Sequence, residues 1–493
     1  MSMVGLRHYE GLGIDGFGLG SIQKVQQLNK ALEAGYETNP ALMSGGAAHK
    51  VESLEGNLKI LTHTDRHLVF WRDIFKSPAY STSEEYGVQE SYGDNGYGAF
   101  YKEGELPLEN DSVYRRKTAL VKYMGTVRKI SHPATLIHPA FGDLIAKENE
   151  SGIMWLLRQV EEYLFRGNSR LVFQGEGEQF DGLRHLIDPT MVLDLEGNAL
   201  QEADFEESSN LLASAGFAYP TDAYLGYYPL SDLVKTMYPR HRVSLPAPTD
   251  GRIGQAVNEI TTQAGIINLK ATRFLERPDT APTVASGPAT HVPTPPKRML
   301  APTIGATATT GEFDKSQGKL DAKYAYVASF ANRFGESAAT APVVSPTMVG
   351  ADAIKGRDIV LQVEGADNTQ IPPEYIRIYR TAALDVNDAT PTDMAAYSLV
   401  MEIPVESQSN NGITPQVAGT LTDKNITMPF MEELYLGEMT PEVLTFRQLA
   451  PLMKMELAVN GPAYTWMIML YGVPILYGPK KWMRITNIGR LGL

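Results

Sequence analysis

The sequence predicts an α+β protein interrupted by an inserted all-β sandwich, and three observations predict it. Between Asn149 and Ile187, one amphipathic helix gives way to a Gly-rich descent and then to the tag Phe180-Asp181-Gly182-Leu183. From 186 to about 275, short strand-like and helix-like stretches alternate. From 320 to 425, the apolar residues switch to a period of two, behind a stretch that holds seven prolines between 278 and 302.

Residues 1–82 read as an N-terminal arm and lead-in. The first fifty are Gly-rich and polar, with one helical segment near Ile22–Leu32, and they have too little apolar content to order without a partner surface. Residues 83–117 read as an extended β-hairpin loop. Across 83–111, eight acids (Glu84, Glu85, Glu90, Asp94, Glu103, Glu105, Glu109, Asp111) face the single base Lys102, and Asp94-Asn95-Gly96 signals a turn. Such a ribbon does not fold alone. The stretch from Arg115 to Lys129 then inverts the charge, with six bases and no acid, and its Val, Tyr and Thr content suggests one long strand.

Residues 118–185 hold the helix. Ile153, Leu156, Leu157, Val160, Tyr163 and Leu164 recur at helical spacing, Asn149 or Ser151 can cap its start, and Gly167-Asn168 can end it. Residues 186–277 form a mixed unit, with a strand at Met191–Leu195 and a helix-like stretch at Gln255–Ile267. The prolines make 278–302 a linker. Within 303–430, Tyr324, Tyr326, Ala328 and Phe330 share one face, as do Ile359, Leu361 and Val363, then Ile376 and Ile378. Residues 431–493 close the units begun earlier. Phe446, Leu449 and Leu452 suggest a short helix, Met455, Leu457 and Val459 a strand, and Trp482, Arg484, Thr486 and Ile488 a last strand.

At 493 residues the chain needs two to four folding units. It has no cysteine, which excludes disulfides, thiolate metal sites and a cysteine nucleophile. The net charge of −13 gives no basic excess of the kind that marks a nucleic-acid reader. The N-terminus lacks the apolar core of a secretory signal, and the apolar run Trp466–Tyr477, with Gly472 and Pro474, is too short to span a bilayer. The reading is a soluble protein, made in a cytoplasm and without a membrane partner.

The short motifs favour structure over chemistry. Gly11, Gly13 and Gly16 match the dinucleotide fingerprint, yet no strand precedes them, so they read as a flexible arm. His63 and His67 have a zinc-compatible spacing but lack a third ligand and the glutamate of a metalloprotease, so they read as a surface pair. Glu176, Glu178 and Asp181 sit in a Gly-rich turn and read as a solvated loop, with Asp181 capping local amides, rather than an acid–base pair. No catalytic, cofactor or metal residue is assigned, and no cofactor is expected.

The long helix and its Asp181-Gly182-Leu183 turn resemble the spine helix and following turn of tailed-bacteriophage major capsid proteins, the Hong Kong 97-type coat fold. The tail from Thr440 to Gly489 is similar to the closing strands of that family. The resemblance covers about 80–275 and 430–493. Tyr326–Ser337 and Tyr375–Arg380 are similar to strand signatures of fibronectin type III and other Ig-like domains, although here they occur in the reverse of the usual order.

The resemblance implies an N-arm, an extended loop, a peripheral domain with a spine helix, an axial domain and an Ig-like insertion. It implies pentamers and hexamers in an icosahedral virion head, made in the bacterial host cytoplasm and enclosing double-stranded DNA without sequence-specific contact. Portal, scaffolding or decoration proteins would be further partners. The alternative is a tail tube or sheath subunit with an Ig-like module. Some members of the family cross-link through a lysine on the projecting loop, but no matching Asn or acid is identifiable for Lys102, which reads as a solvated lysine. The candidate inter-subunit residues are the acids Glu103, Glu105 and Glu109 and the bases Arg115, Arg116 and Lys117, expected to meet between neighbouring copies.

Overall fold

The computed structural model describes residues 64–93, 100–106, 109–136, 143–169, 179–237, 257–275, 280–287, 290–305, 311–313, 322–332, 334–348, 355–356, 358–365, 371, 373–404, 421–458 and 461–491. The chain divides into two compact units, 1–60 with 136–144, and 61–135 with 145–493. The first lies almost wholly outside the described residues, as do the arm and its Ile22–Leu32 segment.

Outside the inserted sandwich, two larger sheets organise the second unit. A four-stranded sheet runs Phe75–Pro78, Leu444–Glu456, Ala463–Leu476, Lys122–Ser131, with the first pair parallel and the others antiparallel. The long helix, Leu144–Arg166, packs its face of Leu156, Leu157, Val160 and Leu164 inward. It starts before Asn149 and Ser151, so neither caps it, and it ends at Gly167 as expected. Gly152 sits where the helix meets the sheet. A Cβ there would lie 2.5 Å from Ile468 Cδ1 and 3.1 Å from Arg128 Nε, so a side chain there would force Ile468 or the helix to shift.

A mixed six-stranded sheet runs Val192–Asp194, Trp482–Ile488, Glu432–Gly437, Asp222–Leu225, Gly265–Ala271, Glu259–Thr262. Its core includes Phe205, Leu212 and Leu233 from the helices Glu202–Gly216 and Tyr227–Met237, together with Leu225, Ile267, Leu434 and Ile485 from the strands. The helix-like stretch Gln255–Ile267 is instead a hairpin, Glu259–Thr262 paired with Gly265–Ala271. Ile260, Thr261 and Thr262 are β-branched, and Gly265 takes φ +144 at the turn, both of which favour strand over helix.

Between these strands the chain leaves to build a β-sandwich. Ala325–Asn332 pairs with Tyr375–Arg380, which pairs with Ser398–Pro404. A smaller sheet holds Thr303–Ile304, Ile359–Leu361 and Leu421–Asp423. Tyr324, Tyr326, Ala328, Phe330, Ile376 and Ile378 share one core with Ile359 and Leu361 of the smaller sheet, which makes the pair of sheets a sandwich. The other face is buried too: Ala325, Val327, Tyr379 and Leu399 pack with Ala281 and Tyr397. A free linker over 278–302 is not what the described part of that stretch forms. Ala281 N–H donates to Tyr397 O (3.0 Å), Ser286 and Glu336 form a bridge, and Arg298–Met299 pairs with Val363–Glu364.

Two further expectations are corrected. Phe446, Leu449 and Leu452 do not form a helix but belong to the strand Leu444–Glu456. Its register shifts at Gln448/Ala450 and again at Ala450/Met453, which disguises the period of two, and Pro451 would break a helix. Arg115–Lys129 is not one strand but two, Val113–Leu120 and Lys122–Ser131, separated at buried Val121.

Candidate inter-subunit surfaces

The hairpin pairs Ser83–Ser91 with Val113–Leu120, and no residue of either strand is buried. Its Asp94-Asn95-Gly96 turn lies outside the described residues. Tyr92, Phe100, Tyr101 and Tyr114 are exposed on it, and Phe100 is 100% exposed. A two-stranded ribbon with exposed aromatics has no core of its own.

The structure sorts the six charged candidates into two sets. Arg115 Nε lies 3.3 Å from Glu90, and Arg116 pairs with Glu85, both within the same hairpin. Their bases therefore meet acids of their own chain, on the directly opposite strand. Lys117 is half-buried opposite Tyr86. It adds to the field that holds Asp188 below the usual carboxylate range, an effect led by the Thr190 N–H and hydroxyl. Glu103, Glu105 and Glu109 are exposed and stand apart from that ladder, as does exposed Lys102.

A second surface lies on the four-stranded sheet. Trp466, Ile468 and Leu470 are buried on one face, next to the helix. The alternate residues face away. Tyr123 stands opposite Tyr471, Val127 opposite Met467, and Met467 opposite Met455. Directly opposite residues share a face, so Tyr123, Val127, Met453, Met455, Met467 and Tyr471 form one apolar face. Of these, Tyr123, Val127, Met453 and Met455 are exposed.

A buried junction beneath the long helix was missed by sequence reading. Glu161 is fully buried on the long helix, and its carboxylate accepts Phe70 N–H (2.8 Å) and Trp71 N–H (2.7 Å). Burial raises its pKa to about 7; the N–H groups of Phe70, Trp71 and Val69 oppose that rise and Asp73 adds to it. Phe70 sits among Phe165 (4.7 Å), Tyr224 (4.9 Å) and Trp482 (6.2 Å), so it ties the lead-in to the long helix and to the six-stranded sheet. Nearby, Lys270 bridges Asp73 (2.8 Å) and Asp222 (2.7 Å). The signal was present: Glu161 falls at helical spacing between Leu157 and Leu164, on the apolar face.

The motif residues are placed as follows. Gly11–Gly16, His63, Glu176 and Glu178 lie outside the described residues. His67 Nδ1 accepts Thr64 N–H (3.0 Å), a local turn. Asp181 accepts Ser169 N–H (2.8 Å), which closes the descent after the long helix. Among the described residues no group of three or more metal-ligating side chains converges, and no helix is long and apolar enough to cross a membrane.

No family model matches the chain. It is 28% identical over 474 residues to the major capsid protein of Staphylococcus phage K, covering 94% of this chain and 96% of that protein. The major capsid protein of Staphylococcus phage S25-3 matches to the same extent. A solved structure from Gordonia phage Cozz overlays with a TM-score of 0.43 at 11% identity, covering 92% of this chain and 96% of that one.

Proposed function

We infer that this chain is a major capsid protein of the tailed-phage kind with the Hong Kong 97-type coat fold, and that its work is structural rather than catalytic. The observation that carries the reading is the near end-to-end similarity to proteins of that name, 94% of this chain against 96% of theirs. The exposed hairpin supports it, because a ribbon with no buried residue makes sense in a chain completed by its neighbours.

In this reading many copies form a closed virion shell of pentamers and hexamers, synthesised in the host cytoplasm, around double-stranded DNA bound without sequence-specific contact. The long helix and four-stranded sheet serve as the peripheral domain, and the six-stranded sheet as the axial domain. The hairpin of one copy lies over a neighbour, bringing Glu103, Glu105 and Glu109 toward the neighbour's basic residues, with Arg115, Arg116 and Lys117 as the candidates. The in-chain partners Glu85 and Glu90 compete for two of these bases, so the contact must offer more than charge. The inserted sandwich is an Ig-like module.

Negative-stain microscopy of the purified protein tests the reading. Closed shells support it. Tubes would favour a tail tube or sheath subunit, and dispersed monomers would reject both.

A further inference from the structure

One exposed aromatic beside the six-stranded sheet sits on a backbone that a bulky side chain rarely adopts. The helix Glu202–Gly216 ends on Phe217, at φ 50 and ψ 40, in the left-handed region. Ala218 N–H donates to Leu212 O (3.2 Å), six positions earlier, and Ala218 is buried. In a helix cap of this kind the left-handed position usually holds glycine, because a Cβ there crowds the backbone. Here the glycine stands one place earlier. A Cβ on Gly216 would lie 2.1 Å from Lys480 O, so Gly216 is committed to that close approach and the left-handed position falls to Phe217.

Strain of this kind persists where something compensates for it. The compensation is not packing inside the subunit, because Phe217 is 83% exposed. Nor is the ring isolated. Tyr219 and Ile266 are 68% and 57% exposed at the same end of the sheet. Asn268 N–H donates to Thr221 O (2.8 Å), and a Cβ on Gly265 would lie 4.0 Å from Pro220 O, which brings Gly265–Ile266 beside Tyr219–Pro220. Ala218 and Pro220 are buried, and Phe217 and Tyr219 between and before them face outward.

The surroundings indicate what covers this tip. Residues 208–221 and 260–269 hold no charged side chain, whereas the whole chain carries a net charge of −13. Copies of an acidic chain repel one another, so they meet most easily where charge is absent. Exposed aromatics in an uncharged setting are what the middle of a protein interface is made of. Three side chains fall far short of the roughly 800 Å² per partner that a standard pairwise complex buries. A soluble partner docking here alone would be held too weakly. Copies in a repeating assembly meet at several places at once, so a small contact suffices.

We propose that the Phe217–Tyr219–Ile266 tip is an interaction surface for a second copy of this chain, and that Phe217 keeps its strained backbone because its ring is buried only in that contact. The inference rests on the shell reading and adds to it a contact that neither the hairpin nor the four-stranded sheet supplies.

Phe217→Gly separates the two effects. Glycine relieves the left-handed backbone, so the free subunit should melt at or above the parent temperature. Loss of an interface aromatic should raise the concentration at which shells form about tenfold or more. Phe217→Asn, which also tolerates this backbone, should behave alike. Tyr219→Ala should weaken assembly without the gain in melting temperature. Shells at the parent's concentration from Phe217→Gly, or a clearly lower melting temperature, would overturn the proposal. p-Benzoylphenylalanine at position 217 gives an independent reading: irradiation should yield a two-chain product, and a cross-link confined to one chain, such as to 238–256, would overturn it too. A parent that forms no shells rejects the shell reading. The photo-cross-link then still decides the tip, because a two-chain product in whatever oligomer forms upholds it and its absence rejects it.

Discussion

Glu161 accepts the Phe70 N–H at 2.8 Å, across ninety-one positions of sequence, in a site where neither residue is exposed to solvent. The long helix thus holds the lead-in segment through a buried carboxylate. With its pKa raised to about 7 by burial, the folded protein binds the Glu161 proton more tightly than the unfolded chain does. The sign follows: this group's stabilisation is fully present below the ordinary carboxylate range and is lost as pH rises through about 7. The melting temperature of the parent should therefore exceed that of Glu161→Gln by more at pH 5 than at pH 8. A difference independent of pH would contradict the assignment. Glu161→Ala should cost about 2–5 kcal/mol in denaturant titration, because two buried N–H groups lose their acceptor.

Gly152→Ala sets helix propensity against packing. In an exposed helix the change stabilises by about 1 kcal/mol. Here the new methyl would meet Ile468 Cδ1 at 2.5 Å, so overpacking should win and destabilise by about 1–3 kcal/mol. A neutral or stabilising result in urea titration would mean that the helix can move off the sheet without loss.

Arg380 is fully buried, donates to Asp423 (2.6 Å) and to Asn425, and lies over the rings of Phe313 and Tyr324. Removing one partner leaves a buried charge, so Asp423→Asn should cost about 3–5 kcal/mol. Replacing both, with Arg380→Met and Asp423→Leu, should recover part of that loss. The double variant melting below the single one would refute this.

The triple reversal of Arg115, Arg116 and Lys117 to Glu breaks two exposed pairs, Arg115–Glu90 and Arg116–Glu85, worth about 0–1 kcal/mol each, so the free subunit should stay folded while assembly fails. Rescue distinguishes two accounts. Glu103, Glu105 and Glu109 changed to Lys should restore particles if the contact runs between copies. Rescue only by Glu85→Lys with Glu90→Lys would show that the charges serve the hairpin's own ladder. Normal particle yield from the triple reversal would reject both.

Removing the sandwich should depend on where the cut falls. Deleting 300–428 strands Ala281, Ser286 and Met299, which pack or pair with the removed residues. Deleting 276–425 with a short Gly/Ser bridge takes them as well, and retains Met428, whose N–H donates to Asn487 (2.8 Å). The longer deletion should give the higher soluble yield. Equal yields would mean that those residues add nothing.

What the sequence made legible follows from local chemistry. The long helix, the Phe180–Leu183 tag and the hairpin all announce themselves by period or by charge. What it concealed came from two sources. Register shifts around Ala450 scrambled a strand into a helix-like spacing, and the β-branched Ile260–Thr262 run was masked by apolar residues that also fit a helical face. The partners of Arg115, Glu161 and Arg380 were hidden for another reason. Each is set by tertiary pairing across a strand or between distant elements, and no local pattern specifies it.

Cryo-electron microscopy of the particles that the purified chain forms tests the central claim most directly. The account predicts closed icosahedral shells in which the hairpin built on Ser83–Ser91 and Val113–Leu120 lies against an adjacent subunit and covers exposed apolar surface there. Open tubes, dispersed monomers, or shells in which that hairpin touches no neighbour would contradict it.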